Sequence, residues 1–129
     1  MLEVIPFDIK TQTIYYVGPS RHDDSKIYGS CGPTTSSRMD SYTPSLYDKG
    51  LQATIGKGRR NKEVKDAIVR NKAIYFVTIG GLGALLSKCV TRIEDIAYKD
   101  LGSEAITKLT IKDFPVYVGI DSYGKDIYD

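Results

Sequence analysis

Four polar side chains in two short segments have the chemistry to bind a small anion. Residues 29–40 read GSCGPTTSSRMD, which carries the hydroxyls of Thr34 and Thr35 and the guanidinium of Arg38. Downstream, IGKGRRN places Lys57 between two glycines. A guanidinium fork can hold a carboxylate through two parallel hydrogen bonds, and a lysine adds a second cationic point. A dicarboxylate would suit two such cations, with the threonine hydroxyls as further donors.

Each of these residues also has an explanation that needs no ligand. Thr34 could be the N-cap of a helix, a role worth about 1 kcal/mol. Arg38 could be a surface charge paired with a carboxylate. Lys57 could be a solvated loop residue, because GKG lacks the Gly-x4-Gly-Lys-Ser/Thr pattern of a phosphate-binding loop. ATP binding through GKG is therefore not expected.

The cysteines and the histidine predict no further catalytic centre. Cys31 and Cys89 lie far apart in the sequence and are too few to hold an iron–sulfur cluster. Their scarcity favours a reducing cytosol, so we expect a cytoplasmic protein. Cys31 is either a small buried residue or, near a helix start, a thiol of lowered pKa. His22 lies in the polar stretch SRHDDS, which predicts an exposed loop and disfavours a Ser-His-Asp triad.

The elements that must position the candidate residues are a helix and a strand. Pro33 suits the first position of a helix, which predicts a helix over Thr34–Lys49, ended early or kinked at Pro44. Its free N–H groups and its dipole would then favour an anion. Lys57 follows the strand LQATIG and precedes another helix. Two such strand-to-helix loops can meet at one edge of a sheet.

The rest of the chain predicts a single α/β domain, residues 1–129, with a mixed sheet flanked by helices. Strands are expected in TQTIYYVGP, KAIYFVTIGG, TRIEDIAYKD, AITKLTIK and PVYVGID, and a turn and strand in YGKDIYD. RRNKEVKDAIVRN predicts a helix that buries Val64, Ala67 and Ile68 and turns its Lys and Arg residues to water, and LGALLSKCV a shorter one. The loop SRHDDSKIYGSC separates the first strand from the candidate site.

Charge and hydropathy exclude several classes of protein. The net charge is +2, which predicts no general affinity for nucleic acid. No apolar run approaches the roughly 20 residues that a membrane helix requires. The opening MLEVIPFDIK does not resemble a secretory signal.

Five segments of the chain together resemble the C-terminal domain, or separate β subunit, of class I fumarate hydratases and L-tartrate dehydratases. The segments are IPFDIKTQTIYYVGP, GSCGPTTSSRMDSYTPSLYDKGL, GKG, IGGLGALL and DFPVYVGIDSYGKD. The resemblance implies a swivelling β/β/α fold and the reversible hydration of fumarate to L-malate. It also implies a [4Fe-4S] cluster that is ligated by a cluster-bearing α subunit and not by this chain.

The resemblance further implies roles for individual residues. Thr34 matches the family's catalytic base, Arg38 its carboxylate-binding arginine and Lys57 its substrate-binding lysine. Thr35 is expected to bind substrate beside them. Family members carry an upstream segment with a further substrate-binding arginine that this chain is expected to lack. We therefore expect a hetero-oligomer that is inactive without its partner, or a homodimer when alone. A tartrate dehydratase β subunit and a non-catalytic dicarboxylate-binding or assembly module are the alternatives.

Overall fold

The computed structural model describes residues 8–21, 28–78, 83–97 and 106–129, which form two compact units. The described residues of the first unit are 8–16, 34–78 and 116–129, and those of the second are 17–21, 28–33, 83–97 and 106–115. Nowhere in these ranges is a helix long and apolar enough to cross a bilayer. The predicted loop residue His22 and the side chain of Cys31 lie outside what is described.

A four-stranded mixed sheet forms the centre of the first unit. Its strands, in spatial order, are β1 (Thr13–Tyr15), β4 (Ala53–Gly56), β5 (Ile74–Val77) and β8 (Tyr117–Ile120). The first three run parallel and β8 runs antiparallel to β5. Every residue of β4 is buried, as expected of a central parallel strand. The predicted α/β fold with a mixed sheet is confirmed.

Two α-helices accompany this sheet, α1 (Thr43–Asp48) and α2 (Lys62–Asn71). The side chain of Asn61 caps α2 by accepting a hydrogen bond of 2.9 Å from the Val64 N–H. The predicted apolar stripe of α2 is confirmed, because Val64, Ala67 and Ile68 are buried. These three belong to the hydrophobic core with Ile9, Tyr47, Leu51, Ala73, Tyr75, Val77 and Ile120.

The second unit contains two antiparallel pairs and a short helix. β2 (Val17–Arg21) pairs with β3 (Tyr28–Pro33), and β6 (Val90–Ala97) pairs with β7 (Ile106–Ile111). The helix α3 (Gly83–Ser87) packs against β3.

Several predicted boundaries differ from the structure. The strand predicted over residues 11–19 is divided at Tyr16 into β1 and β2, which belong to different units. The predicted loop of residues 20–31 is too long, because its first two residues end β2 and its last four begin β3. The predicted terminal strand is replaced by turns, with a single bridge between Ile120 and Asp126.

The helix predicted over Thr34–Lys49 is wrong as a single element. A 3-10 helix covers Ser36–Met39, and α1 begins only at Thr43. Pro33 ends β3 instead, opposite Val17 in the ladder. The serines and threonines that follow Pro33 are weak helix formers. Hydrogen bonding to neighbouring backbone therefore replaces the predicted helix at this point. Pro44, expected to end or kink a helix, lies in the first turn of α1, where its missing N–H has no cost.

Candidate active site

The two segments that carry the candidate residues are neighbours at the end of β4. Thr35 and Lys57 form a parallel bridge, and the Ser36 N–H donates a hydrogen bond of 3.0 Å to the Lys57 carbonyl. Lys57 directly follows β4, so the 3-10 segment continues the sheet at the carboxyl end of this strand. The backbone therefore brings Thr34, Thr35 and Arg38 together with Lys57, as expected of loops at one sheet edge.

The side chains of these residues are accessible to a ligand. Thr35, Arg38 and Lys57 are exposed, and Thr34 is half-buried. Among the described residues, neither Arg38 nor Lys57 forms an ion pair with a carboxylate. The N-cap position of the 3-10 helix is Thr35 rather than Thr34, and its side chain makes no capping hydrogen bond. Within the described residues, Thr34 is therefore not explained as a helix cap, and Arg38 is not explained as the partner of a surface ion pair.

Two of the first three N–H groups after Pro33 are already bonded to backbone and are not available to an anion. The Thr34 N–H donates to the Tyr16 carbonyl at 2.8 Å, and the Ser36 N–H is taken by Lys57. No α-helix begins at Pro33, so the expected contribution of a helix dipole is absent. The positive charge that these two segments offer to an anion is therefore that of the exposed side chains of Arg38 and Lys57.

Gly56, the last residue of β4, allows the 3-10 segment to lie directly on the strand. A methyl group on Gly56 would overlap with Ser36 Oγ and would lie 3.1 Å from a ring carbon of Tyr16. Both neighbours are buried, and Ser36 has no exposed surface. Only glycine therefore permits this close approach.

Gly56→Ala is expected to destabilise the chain by about 1–3 kcal/mol, because the added methyl group overpacks a site that cannot expand. The measurement is the urea midpoint of unfolding. Ser36→Ala in the same chain removes the overlapping hydroxyl, so the double variant should lose less stability than the sum of the single variants. Strict additivity would contradict this account of Gly56.

The hydroxyl of Tyr75 contacts both candidate segments. It lies 2.9 Å from Ser36 Oγ and 2.8 Å from the Gly58 carbonyl oxygen. The phenol is the donor in both contacts, so its single O–H is shared between Ser36 Oγ and the Gly58 carbonyl oxygen. Burial raises the pKa of Tyr75 to about 12, so this donor keeps its proton at neutral pH.

A buried ion pair supports the same region. Arg60 Nε donates to Asp40 Oδ1 at 2.6 Å, and the two residues are 5% and 7% exposed. The guanidinium also donates to the hydroxyls of Thr43 and Thr54, at 2.9 and 3.2 Å. It lies over the ring of Tyr75, 4.8 Å from the centroid, a cation–π arrangement. Burial opposes the charge of Arg60, but Tyr16 and Asp40 outweigh burial and raise the pKa of the guanidinium.

The buried Arg60–Asp40 pair and the hydrogen bonds of Tyr75 were not predicted from the sequence. Arg60 was expected to face water with the other basic residues near α2, and this prediction is wrong because Asp40 and two hydroxyls take up its hydrogen bonds. The available signal was Asp40 itself, an acidic residue two positions after Arg38 in an otherwise uncharged stretch. Tyr75 is buried in β5 between two half-buried residues, and nothing in the stretch IYFV marks it as a hydrogen-bond donor to the site.

The described residues do not provide the ligands of an iron–sulfur cluster. Among them, no group of three or more His, Cys, Asp or Glu side chains could hold a metal ion. Cys89, a free thiol, lies 3.7 Å from the Asp113 carbonyl, whereas a cluster needs three or four converging thiolates. The ligands of any cluster at this site would therefore have to come from outside the described ranges.

Fold and site together define an α/β protein that presents hydroxyl and cationic side chains where a buried parallel strand ends. The sequence model of the family described as fumarase C-terminus matches residues 2–129. The chain therefore belongs to this family.

Individual relatives agree with this assignment. The chain is 38% identical over 128 residues to fumarate hydratase 2 of Leishmania major and to the aerobic class I fumarate hydratase of Escherichia coli. Both alignments cover 98% of this chain, but only 22% and 23% of those relatives. It is 35% identical over 133 residues to a provisionally named L(+)-tartrate dehydratase subunit beta of Methanocaldococcus jannaschii, covering 98% of this chain and 68% of that protein. The chain thus spans about a quarter of its fumarate hydratase relatives and two thirds of the subunit.

Proposed function

We propose that this chain is the substrate-carboxylate-binding component of a hydro-lyase that interconverts fumarate and L-malate. Its family membership and the class I fumarate hydratases among its relatives support the reaction. The observation that carries the role of this chain is the bridge between Thr35 and Lys57, which places both candidate segments at one edge. In this assignment Arg38 and Lys57 bind the carboxylates of the substrate, and Thr35 contributes a hydroxyl.

Thr34 is the proposed base. When malate is dehydrated, a proton leaves a carbon next to a carboxylate, and the negative charge of the intermediate spreads onto that carboxylate. Arg38 and Lys57 are cations of the sign that stabilises this charge. The same two cations favour the alkoxide of Thr34, whose hydroxyl is otherwise too weak a base.

The remaining catalytic equipment is proposed to come from a partner. The resemblance assigns a [4Fe-4S] cluster to a separate α subunit, where it would act as Lewis acid toward the substrate hydroxyl. A two-chain enzyme agrees with the name of the M. jannaschii relative, a subunit beta. We propose a hetero-oligomer in the cytoplasm, inactive without the α subunit.

Tartrate is the alternative substrate. The M. jannaschii relative supports it through its name, an L(+)-tartrate dehydratase subunit beta. Fumarate and tartrate are both small diacids, so Arg38 and Lys57 suit either.

The test is reconstitution under anaerobic conditions with a chain that carries three cluster-ligating cysteines. Fumarate hydration and tartrate dehydration are followed by absorbance, with this chain alone as the control. Hydratase activity that appears only in the mixture is the expected result. Diacid binding in calorimetry without activity in any mixture would instead support a non-catalytic binding module.

Thr34→Val is expected to lower kcat of the reconstituted enzyme about 100-fold or more, with a small change in KM, because it removes a proton-transfer group and keeps the shape. Thr34→Ser retains the hydroxyl and is the matched control, expected to keep much of the activity. Equal kcat values for the two variants would exclude Thr34 as the base.

A further inference from the structure

The geometry points to Tyr75 as a positioning residue that fixes the distance between the segment of Thr34, Thr35 and Arg38 and the loop of Lys57. This inference rests on the proposed function, because it concerns the residues to which that function assigns substrate contacts. Tyr75 itself is fully buried, so it acts through the two segments and does not touch substrate.

The hydrogen bonds of Tyr75 reach both segments with one oxygen atom. Ser36, its first partner, lies between Thr35 and Arg38 and has no exposed surface. Gly58, its second partner, directly follows Lys57. A shift of either segment would break one of these two bonds, so the hydroxyl opposes their separation.

The loop of Lys57 is held from the other side as well. The Gly58 N–H lies 3.2 Å from the hydroxyl of Tyr128 and donates to it. Gly58 has φ +88°, a conformation that glycine adopts without strain. The Lys57 carbonyl accepts from Ser36, so Lys57 has fixed backbone on both sides while its ammonium remains exposed.

The ring of Tyr75 is itself immobilised. It packs in the hydrophobic core and lies under the guanidinium of Arg60, whose position Asp40 fixes. The backbone segments that carry Arg38 and Lys57 are therefore held by a phenol that is itself fixed in the core. A displacement of catalytic groups by about 1 Å can lower the reaction rate by a factor of about 100.

Tyr47 supplies a matched control. It is also a fully buried core tyrosine, and its hydroxyl also contacts one hydroxyl and one carbonyl, those of Thr54 and Ile74, at 2.8 and 2.9 Å. Neither partner belongs to the segments of the site. Tyr75→Phe and Tyr47→Phe thus delete the same group in similar surroundings, and only the first deletes a contact to those segments.

The first measurement is amide hydrogen exchange in the full chain, without partner or substrate. Tyr75→Phe is expected to accelerate exchange of the Ser36 amide about tenfold beyond any change in core amides of β4 and β5. Tyr47→Phe should change the Ser36 amide no more than it changes those core amides. Equal effects of the two variants on Ser36 would overturn the inference.

The second measurement is steady-state kinetics of the reconstituted complex. Tyr75→Phe is expected to lower kcat about 10- to 100-fold with KM changed by less than about threefold, whereas Tyr47→Phe stays close to the parent enzyme. A kcat equal to that of Tyr47→Phe would also overturn the inference. If the parent complex is inactive on every diacid tried, the proposed function fails, and the exchange comparison alone decides whether Tyr75 holds the segments together.

Discussion

Arg38→Ala is expected to lower kcat/KM of the reconstituted enzyme about 100- to 1000-fold while leaving the folded chain almost as stable as before. The loss has the size found when one donor to a developing anion is removed. Stability should be spared because Arg38 is exposed and, within the described residues, forms no ion pair. Kinetics with fumarate and malate, and the urea midpoint of the same preparation, measure the two effects.

Two further variants identify the cause of such a loss. Arg70→Ala removes another exposed guanidinium, which lies on α2 and is paired with Asp48 of α1, and should leave kcat/KM unchanged. Arg38→Lys keeps the charge but loses the fork that holds a carboxylate bidentately, so an intermediate rate is expected. The role of Arg38 is refuted if its alanine variant is as active as that of Arg70.

The adjacency of the two candidate segments could be predicted from sequence, because the strand before Lys57 follows local rules. Lys57 comes after LQATIG, which the sequence predicts as a strand, and neighbouring parallel strands end at a common edge of the sheet. The buried apolar stripe of α2 was equally predictable, because apolar residues that recur with the 3.6-residue period of a helix lie on one face.

The segment from Pro33 to Asp40 could not be predicted in the same way, because distant backbone decides its shape. Proline before a hydroxyl-rich stretch is a good local signal for a helix start. The tertiary partners of the segment are Tyr16 and Lys57, 18 residues before and 23 residues after Thr34. Their carbonyls take the N–H groups of Thr34 and Ser36, so strand-like pairing replaces the expected helix.

The buried charge of Arg60 illustrates a second limit of sequence patterns. Hydrophobic periodicity predicts burial of apolar side chains, and it assigns every arginine to the surface by default. Arg60 is buried because Asp40, Thr43 and Thr54 together satisfy its donors, which is a property of three separate elements.

Asp40→Ala is expected to destabilise the chain by about 3–5 kcal/mol, because it leaves the charge of Arg60 buried without its counter-ion. Asp40 Oδ2 also accepts from the Asn61 N–H at 2.8 Å, so the same change disturbs the residue that caps α2. Folded domains of this size are stable by about 5–15 kcal/mol, so the loss is a large part of the total. The free energy of unfolding in urea measures it.

Asp48→Ala is the control, because it breaks an aspartate–arginine pair that lies at the surface. Asp48 accepts two bonds of 2.8 Å from Arg70, and the hydrogen bonds from this guanidinium lower the pKa of Asp48 to about 2. About half of each side chain is exposed, so solvent screening limits its loss to about 1 kcal/mol or less. Replacing both Asp40 and Arg60 by apolar residues of similar size should recover much of the stability, since no charge is then left unpaired. Equal losses for Asp40→Ala and Asp48→Ala would show that burial of the Arg60 pair does not govern the stability of this region.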